Sequence, residues 1–351
     1  MATSYPGSGG AEARANIALV KYWGKRDATL NLPATGSLSL TLDGLTTRTY
    51  VDLSPELAAD RLTLNGRLAS ERDRLKGSAL MELVRSLAWT RLGQRLGYAH
   101  ITSVNTFPTG AGLASSASGF AALALAASHA AGLDLSPSEL SALARRGSGS
   151  AARSIFGGLV EMHPGSLPTG EDAHAAPLDH AADWPLRMVV AVVSEEAKAT
   201  SSTDGMDLTT RTSAYFPAWT QEVGRDLQQA REAIARRDLQ HLGEVTEASC
   251  LKMHASAFAA RPGVVYLRGP TLEALHALRA LRQSGVGAWF TADAGPQAKA
   301  LCHQHDVEAV VATLAAVPGV VRTLVCGPGE GARVLDARVS QRARWPAELH
   351  P

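Results

Sequence analysis

The chain has 351 residues, 45% of them hydrophobic and 19% charged, with a formal net charge of +1. That length holds one large or two modest domains with a real core. The near-neutral balance provides no broad field for nucleic acid or an anionic membrane, so an anionic ligand would need a local cluster of basic groups and backbone amides.

The N-terminus MATSYPGSGGAEAR lacks the basic start and apolar run of a secretory signal. No stretch approaches the roughly 18 apolar residues of a membrane span. Cys250, Cys302 and Cys326 are far apart and odd in number, which reads as reduced buried thiols in a cytosolic protein. His303 and His305 lack a third ligand nearby and read as a surface loop rather than a zinc site.

In chain order, residues 1–13 read as disordered. Leu38, Leu40 and Leu42 alternate, Asp43-Gly44 follows, and a return strand runs from Thr47 to Leu53, which predicts a hairpin. Arg61 to Leu68 repeats the pattern with Asn65-Gly66 at its turn. A helix is expected over 76–97, with Leu80, Leu83, Val84 and Leu87 on one face, then a strand over 100–104. The stretch NTFPTGAGLASSASGF (105–120) runs from a small-residue loop into an alanine-rich helix ending near Gly132. The next helix has Ser136 as N-cap, Pro137 at its first position, Glu139 completing a capping box and Gly147 just past its end. A buried strand follows at 187–193, then helices over 219–236, 238–255 and 271–283. A strand over 289–291 leads to Asp293. Asp306 is expected to cap a helix reaching Ala316, and a strand spans 320–325. The tail after Arg333 reads as peripheral. Early hairpins followed by mixed helices and strands predict an α+β fold in two lobes.

Gly110, Gly112, Ser115, Ser116 and Ser118 lie where the loop becomes a helix. Small residues let backbone N–H groups approach an anion, and a helix start adds unpaired amides and about half a positive charge. The GK[ST] ending of a Walker A loop is absent. A tight glycine-rich turn is the alternative reading of the same residues. Lys21, Tyr22 and Lys25 form a short basic segment suited to an anion, or else a solvated turn. Arg153 offers a planar fork for a carboxylate, or else covers a helix end.

PTGAGLASSA (108–117) resembles the phosphate-binding motif of the GHMP kinase superfamily. NIALVKYWGKRD (16–27), RGSGSAARS (146–154) with Phe156-Gly157-Gly158, and FTADAGP (290–296) resemble sequences of the diphosphomevalonate decarboxylase family, in register from about residue 14 to 315. The resemblance implies the GHMP α+β fold, an N-terminal domain over 1–186, a C-terminal domain over 187–351, and an active site between them. It implies ATP-dependent decarboxylation of mevalonate 5-diphosphate to isopentenyl diphosphate, with ATP as co-substrate and Mg2+.

The resemblance further implies the residue roles. Asp293 acts on the C3 hydroxyl with Lys21 beside it. Arg153, with Ser148 and Ser150, takes the substrate carboxylate. Tyr22, Lys25, Ser201 and Ser202 take the substrate phosphates. Gly110, Gly112, Leu113, Ala114, Ser115 and Ser116 take the ATP phosphates, with Ser116 a candidate Mg2+ ligand. Arg72, Arg74 and Lys76 are open alternatives for a further phosphate contact. A cytoplasmic homodimer is implied, with no nucleic-acid or membrane partner. A mevalonate 5-phosphate decarboxylase, a mevalonate 3-kinase and a catalytically silent GHMP-fold binding protein are the rivals; Lys21 together with Asp293 favours the full decarboxylase.

Overall fold

The computed structural model describes residues 6–107, 114–178, 183–196 and 198–335. Gly110, Gly112 and Leu113 lie outside the described residues.

The first half of the chain runs β1 (Ser8–Val20), β2 (Lys25–Asp27), β3 (Leu32–Pro33), β4 (Ser37–Ser54), β5 (Arg61–Leu64), β6 (Arg67–Leu68), α1 (Glu71–Leu92), β7 (Tyr98–Asn105), α2 (Ser115–Ala130), α3 (Pro137–Gly147), a 3-10 helix (Gly149–Ile155), β8 (Leu159–Met162) and β9 (Ala175–Pro177). The second half runs β10 (Leu186–Val192), α4 (Ser202–Thr212), α5 (Phe216–Ala235), α6 (Leu239–Phe258), α7 (Gly269–Gln283), β11 (Ala288–Ala292), β12 (Ala298–His303), α8 (Val307–Ala315), β13 (Arg322–Cys326) and β14 (Arg333–Leu335). Among the described residues the strands form an eight-stranded sheet with the path β14-β1-β4-β7-β5-β6, β8 joining β4 and β9 joining β8. A second sheet has the order β11-β12-β10-β13.

Five layers follow. Helices α1 to α3 cover one face of the large sheet, α5 and α6 fill the space between the sheets, and α7 and α8 cover the far face of the small sheet. The middle core joins Ile17, Leu19 and Leu40 of the large sheet to Leu242 and Met253 of α6 and to Met188 and Leu301 of the small one. Both sheets therefore pack on one continuous apolar layer, which fixes where β1 ends relative to β11 and β12.

Several sequence expectations change here. Residues 8–13 are part of β1, not disordered, and residues 9–13 are buried. Their apolar character was masked by size: Gly9, Ala11 and Ala13 are small on the face where the alanine-rich α2 packs, and Gly10, on the other face, leaves room for the Tyr50 ring. A Cβ on Gly9 would stand 2.3 Å from the carbonyl oxygen of Ala126 and 2.8 Å from the amide nitrogen of Ala130.

The hairpin expected at Asp43-Gly44 is absent; β4 continues through it as one 18-residue strand. Between the pairs Arg14↔Thr46 and Asn16↔Thr41 the strand β4 carries extra residues, so the Asp-Gly pair makes a bulge instead of a turn. Asp43 is satisfied there by Gly327, whose N–H donates to Oδ1 at 2.8 Å and whose carbonyl accepts from the Asp43 N–H at 3.1 Å. The turn at Asn65-Gly66 does form, with φ of 46° and 77° as a two-residue hairpin of this type needs.

The helix expected over 76–97 starts earlier, at Glu71 behind the N-cap Ser70, and Gly93 in the left-handed region ends it. The capping box of Ser136 and Glu139 is present, although Gly147 is the last helical residue and not the one beyond. Asp306 precedes α8 without a side-chain cap bond. The strand β12 was not expected at all, and it proves central to the site. Of the tail after Arg333, Val334 and Leu335 pair with β1 in β14, next to Arg333, which bonds Glu12 at 3.0 Å; residues 336–351 lie outside the described residues. All three cysteines are buried free thiols, as expected.

The close approach of α2 to β1 is testable. Gly9→Val should cost about 1–3 kcal/mol, because backbone rather than a flexible side chain must give way. Gly224→Ala, in α5 with open space around it, should instead stabilise by about 0.4–1 kcal/mol. Denaturant melts of both variants check the pair; a neutral Gly9→Val would overturn the packing argument.

Candidate functional site

The centre of the cleft is an ion triad built from three strand ends. Strand β1 ends at Val20, and next comes Lys21, whose N–H is held by the Ser249 hydroxyl of α6 at 3.0 Å and whose Nζ donates to the Ala18 carbonyl at 2.8 Å. Strands β11 and β12 form a hairpin with Ala292 opposite Ala298 and Thr291 opposite Lys299, and Asp293 opens its turn. Lys21 Nζ lies 2.6 Å from Asp293 Oδ1, and Lys299 Nζ lies 3.1 Å from Oδ2. Both lysines are 1% exposed, and Asp293 is 25% exposed to the cleft. Burial alone would push the Asp293 carboxyl up, but the two ammoniums outweigh it and hold it well below the usual carboxylate range.

Arg153 stands beside this centre in the 3-10 helix. It is buried, and it donates to Asn16 Oδ1 at 3.2 Å, Ser39 Oγ at 2.9 Å and Ser37 Oγ at 2.5 Å, all neutral acceptors. Burial lowers its pKa to about 10, opposed by the charge of Asp293. Asn16 also donates to the Ser150 carbonyl at 3.0 Å and the Ser154 hydroxyl at 2.8 Å, which ties β1 to the 3-10 helix. The hydroxyls of Ser148 and Ser150 are 3.3 Å apart.

Tyr22 points its hydroxyl at Gly149, where a Cβ would come within 2.3 Å of it. That hydroxyl is buried without a hydrogen-bond partner among the described residues. Burial pushes the phenol up to about 12, against the pull of Arg153 and Arg145, so it remains a donor at neutral pH. Trp23 anchors the segment, edge-on to Tyr266 with its carbonyl accepting from Trp219 Nε1.

The rim carries further cations. Lys25 is lowered by burial and by Lys76, and Lys76 by burial and by Arg72. Arg72 donates to Ser201 Oγ at 3.0 Å and to Asp204 Oδ1 at 2.9 Å, reaching from α1 to the start of α4. Ser201 caps α4 by accepting from the Asp204 N–H. Lys198 donates to Ser202 Oγ at 2.6 Å and to the Ala294 carbonyl at 2.8 Å, and burial brings its pKa down to about 8. Arg74 is apart from this group, 4.0 Å from Glu71.

Ala114 precedes α2 with φ 57°, and α2 starts without a side-chain cap. Ser115 and Ser116 line a cavity with Asp73, Gly77, Asn105 and Phe120. Ser118 faces the other way: its hydroxyl is buried 2.6 Å from that of Thr47, because position four of the helix turns toward the sheet. Among the described residues no group of three His, Cys, Asp or Glu could hold a metal.

The structure thus joins Lys21, Asp293 and Arg153, and sets Tyr22, Ser148 and Ser150 around them. Three residues of the site were missed from sequence. Asn16 lay inside a quoted motif without a role. Lys198 gave no local signal. Lys299 did: a lysine within the apolar run AKALC is a charge with nowhere to go but a partner, legible only once that run is read as a strand.

Two family models match the chain in tandem: the diphosphomevalonate decarboxylase-like N-terminal domain over residues 13–175 and the mevalonate 5-diphosphate decarboxylase C-terminal domain over residues 188–326. Diphosphomevalonate decarboxylase of Candida albicans is 40% identical over 319 residues, covering 88% of this chain and 87% of that one. The solved structure of the mevalonate diphosphate decarboxylase from Enterococcus faecalis is 39% identical with a TM-score of 0.86, over 93% of this chain and 98% of that one. A structure described as MDDEF in complex with MVAPP, AMPPCP and magnesium has the same identity and coverage and a TM-score of 0.87. The two sheets and their helix layers are therefore the α+β fold of the GHMP kinases. Within that class, the chain belongs to the diphosphomevalonate decarboxylase family.

Asp293→Asn should expose how much the triad depends on charge. Leaving two buried ammoniums without their carboxylate should cost about 3–5 kcal/mol at pH 7. Because the folded value of Asp293 is depressed, its stabilisation is present above the unfolded value of about 4 and is lost as pH falls towards the folded one. Melts of wild type and variant should differ at neutral pH and begin to converge only as the pH falls below about 4. A gap that ignores pH would mean the ionised carboxylate does not carry the stability.

Proposed function

We propose that this chain converts mevalonate 5-diphosphate and ATP to isopentenyl diphosphate, ADP, phosphate and CO2. The observation that carries the reading is the Lys21–Asp293 contact of 2.6 Å, an ionised carboxylate 25% exposed with cations and hydroxyls around it. Asp293 accepts a hydrogen bond from the C3 hydroxyl and orients its oxygen towards the γ-phosphorus. With both carboxylate oxygens already engaged by ammoniums, its main contribution is alignment and negative charge, and proton uptake is secondary.

The buried Arg153 has only neutral partners, which suits it to the substrate carboxylate, with Ser148 and Ser150 alongside. Once the C3 oxygen is phosphorylated, its bond to C3 breaks and phosphate leaves with the electron pair. The carboxylate's bond to the adjacent carbon then supplies the electrons of the new double bond as CO2 departs. Arg153 orients the carboxylate throughout.

The diphosphate tail is assigned to Tyr22, Lys25, Ser201 and Ser202, with Lys76, Arg72 and Lys198 as further cations at the same rim. Ala114, Ser115 and Ser116, with Gly110, Gly112 and Leu113, are assigned to the ATP phosphates, and the adjoining cavity is assigned to the adenosine. Magnesium, when bound with ATP, neutralises phosphate charge. The described residues supply few ligands for it, so it would rest mainly on phosphate oxygens with Ser116 as a hydroxyl partner. The same reading makes the chain a cytoplasmic homodimer, checked by light scattering and fractionation; no helix among the described residues is long and apolar enough to cross a membrane. It also divides the chain at 186/187, with β14 returning to the first sheet.

The direct test follows ADP and CO2 together with mevalonate 5-diphosphate and mevalonate 5-phosphate side by side. Equal release of ADP and CO2 with the diphosphate, at much the higher kcat/KM, is the expected result. ADP without CO2 would make the chain a 3-kinase, and preference for the monophosphate would transfer the activity to that substrate. Arg153→Lys keeps the charge but loses the fork, and kcat/KM should fall by roughly 10²-fold or more if the pair is desolvated. Near-full activity would make Arg153 structural.

A further inference from the structure

The second ammonium of the triad has no role of its own in the assignment above, and three features set it apart. This ammonium, Lys299, comes from β12 and not from the segment that carries Lys21. It takes the carboxylate oxygen that Lys21 leaves, at 3.1 Å. It is also buried to 1% exposure, so a strongly hydrated group has been taken out of water and given this one carboxylate.

We propose that Lys299 is a positioning residue of the reaction: its ammonium fixes the second oxygen of Asp293, so that the carboxylate keeps one orientation and its charge while substrate anions fill the cleft. This rests on the reaction assigned above. A carboxylate held by one lysine through one oxygen can rotate about its Cβ–Cγ bond; held through both, it cannot without breaking an ion pair. The second cation also matters electrostatically. A triphosphate, a diphosphate and a carboxylate entering together disfavour any further negative charge, and a like charge nearby raises a carboxyl's pKa. One lysine can be drawn towards those anions. A second, buried on the strand that forms the Asp293 hairpin, keeps the other oxygen paired.

The groups facing Asp293 support this division of labour. Lys21 at the end of β1 and Lys299 on β12 touch it. Arg153 from the 3-10 helix and Lys198 from the segment before α4 act on it through charge. Cys250 and His254 of α6 lie behind it; burial pushes the thiol up, and it lowers the imidazole to about 4, so both are neutral at pH 7. Lys198 holds a serine hydroxyl and a carbonyl on the rim, and Arg153 is committed to hydroxyls and an amide. Only Lys21 and Lys299 bond the carboxylate itself among the described residues.

The test compares Lys299→Met, Lys299→Gln and Lys299→Arg with wild type. In the neutral variants kcat should fall roughly 10- to 100-fold, with both KM values within about twofold, because alignment and not binding is lost. The sign of the pH effect is fixed: burial raises the Asp293 pKa and the lysines lower it, so removing one moves the acid limb of kcat upward, by roughly one unit or more. Lys299→Arg should keep the wild-type limb. In parallel, the carboxyl carbon resonance of Asp293, assigned by Asp293→Asn, should be flat from pH 4 to 8 in wild type, with and without mevalonate 5-diphosphate, and its titration should move to higher pH in the neutral variants. That spectrum needs no turnover. A wild type inactive on the substrates sinks the functional assignment, while an Asp293 signal unmoved by loss of Lys299 sinks the positioning role. A folded Lys299→Met with kcat within twofold of wild type and an unshifted acid limb overturns the proposal, as does a wild-type signal that titrates on adding substrate.

Discussion

Asp293 sits where the two sheets meet, and both of its oxygens are spoken for. Lys21 follows the end of β1, a long buried strand of the large sheet, and Lys299 comes from the second strand of the small sheet's hairpin. A carboxylate between two buried ammoniums is tolerable only if the geometry is held closely, since each charge has lost its water. The middle apolar layer provides that hold. It runs without a break from Ile17 and Leu19 through α6 to Leu301, so the strand ends that carry the three charges are set by packing and not by the ion pairs themselves.

Around the triad the charges do not balance. Arg153, Lys198, Lys25 and Lys76 are all held below their ordinary values, with burial the first cause in each case. A group shifted this way is bound less favourably in its charged state than it would be in water, and an arriving anion recovers that difference. The cleft is thus prepared for ligands of several negative charges while the protein as a whole is nearly neutral. The Tyr22 hydroxyl, without a partner among the described residues, belongs to the same pattern: a buried donor costs stability until something accepts from it.

How much of this could be read in advance depended on local chemistry. In the Ser136–Glu139 box and the Asn65-Gly66 hairpin, specified by residues a few positions apart, sequence and structure agree, although the cap expected of Asp306 makes no side-chain bond. Where the deciding partner lies far along the chain, they part. Asp43-Gly44 has the composition of a hairpin, yet Gly327 satisfies Asp43 and β4 runs on. The first residues of β1 lack large apolar side chains because α2 needs the space, and small residues look like disorder when their neighbour is unknown. The site was legible through motif resemblance at Lys21, Arg153 and Asp293. Lys299 escaped because the alanines around it conceal a strand, and with the strand went the charge.

The short strand β14 alters what kind of object the second half of the chain is. After completing the small sheet at β13, the chain crosses back and pairs with β1, where Glu12 receives Arg333. Leu42 is bridged to Pro328 on the way. Topologically, residues of the small sheet are an insert within the large one, stitched to it at an entry near Leu186 and again at an exit near Gly327. An insert with two stitches has fewer ways to move than a lobe hung on one linker: opening about the line joining the stitches is permitted, and swivelling about a single point is not. Lys21 and the Asp293 hairpin therefore belong to parts joined by two crossings of the chain and not by one.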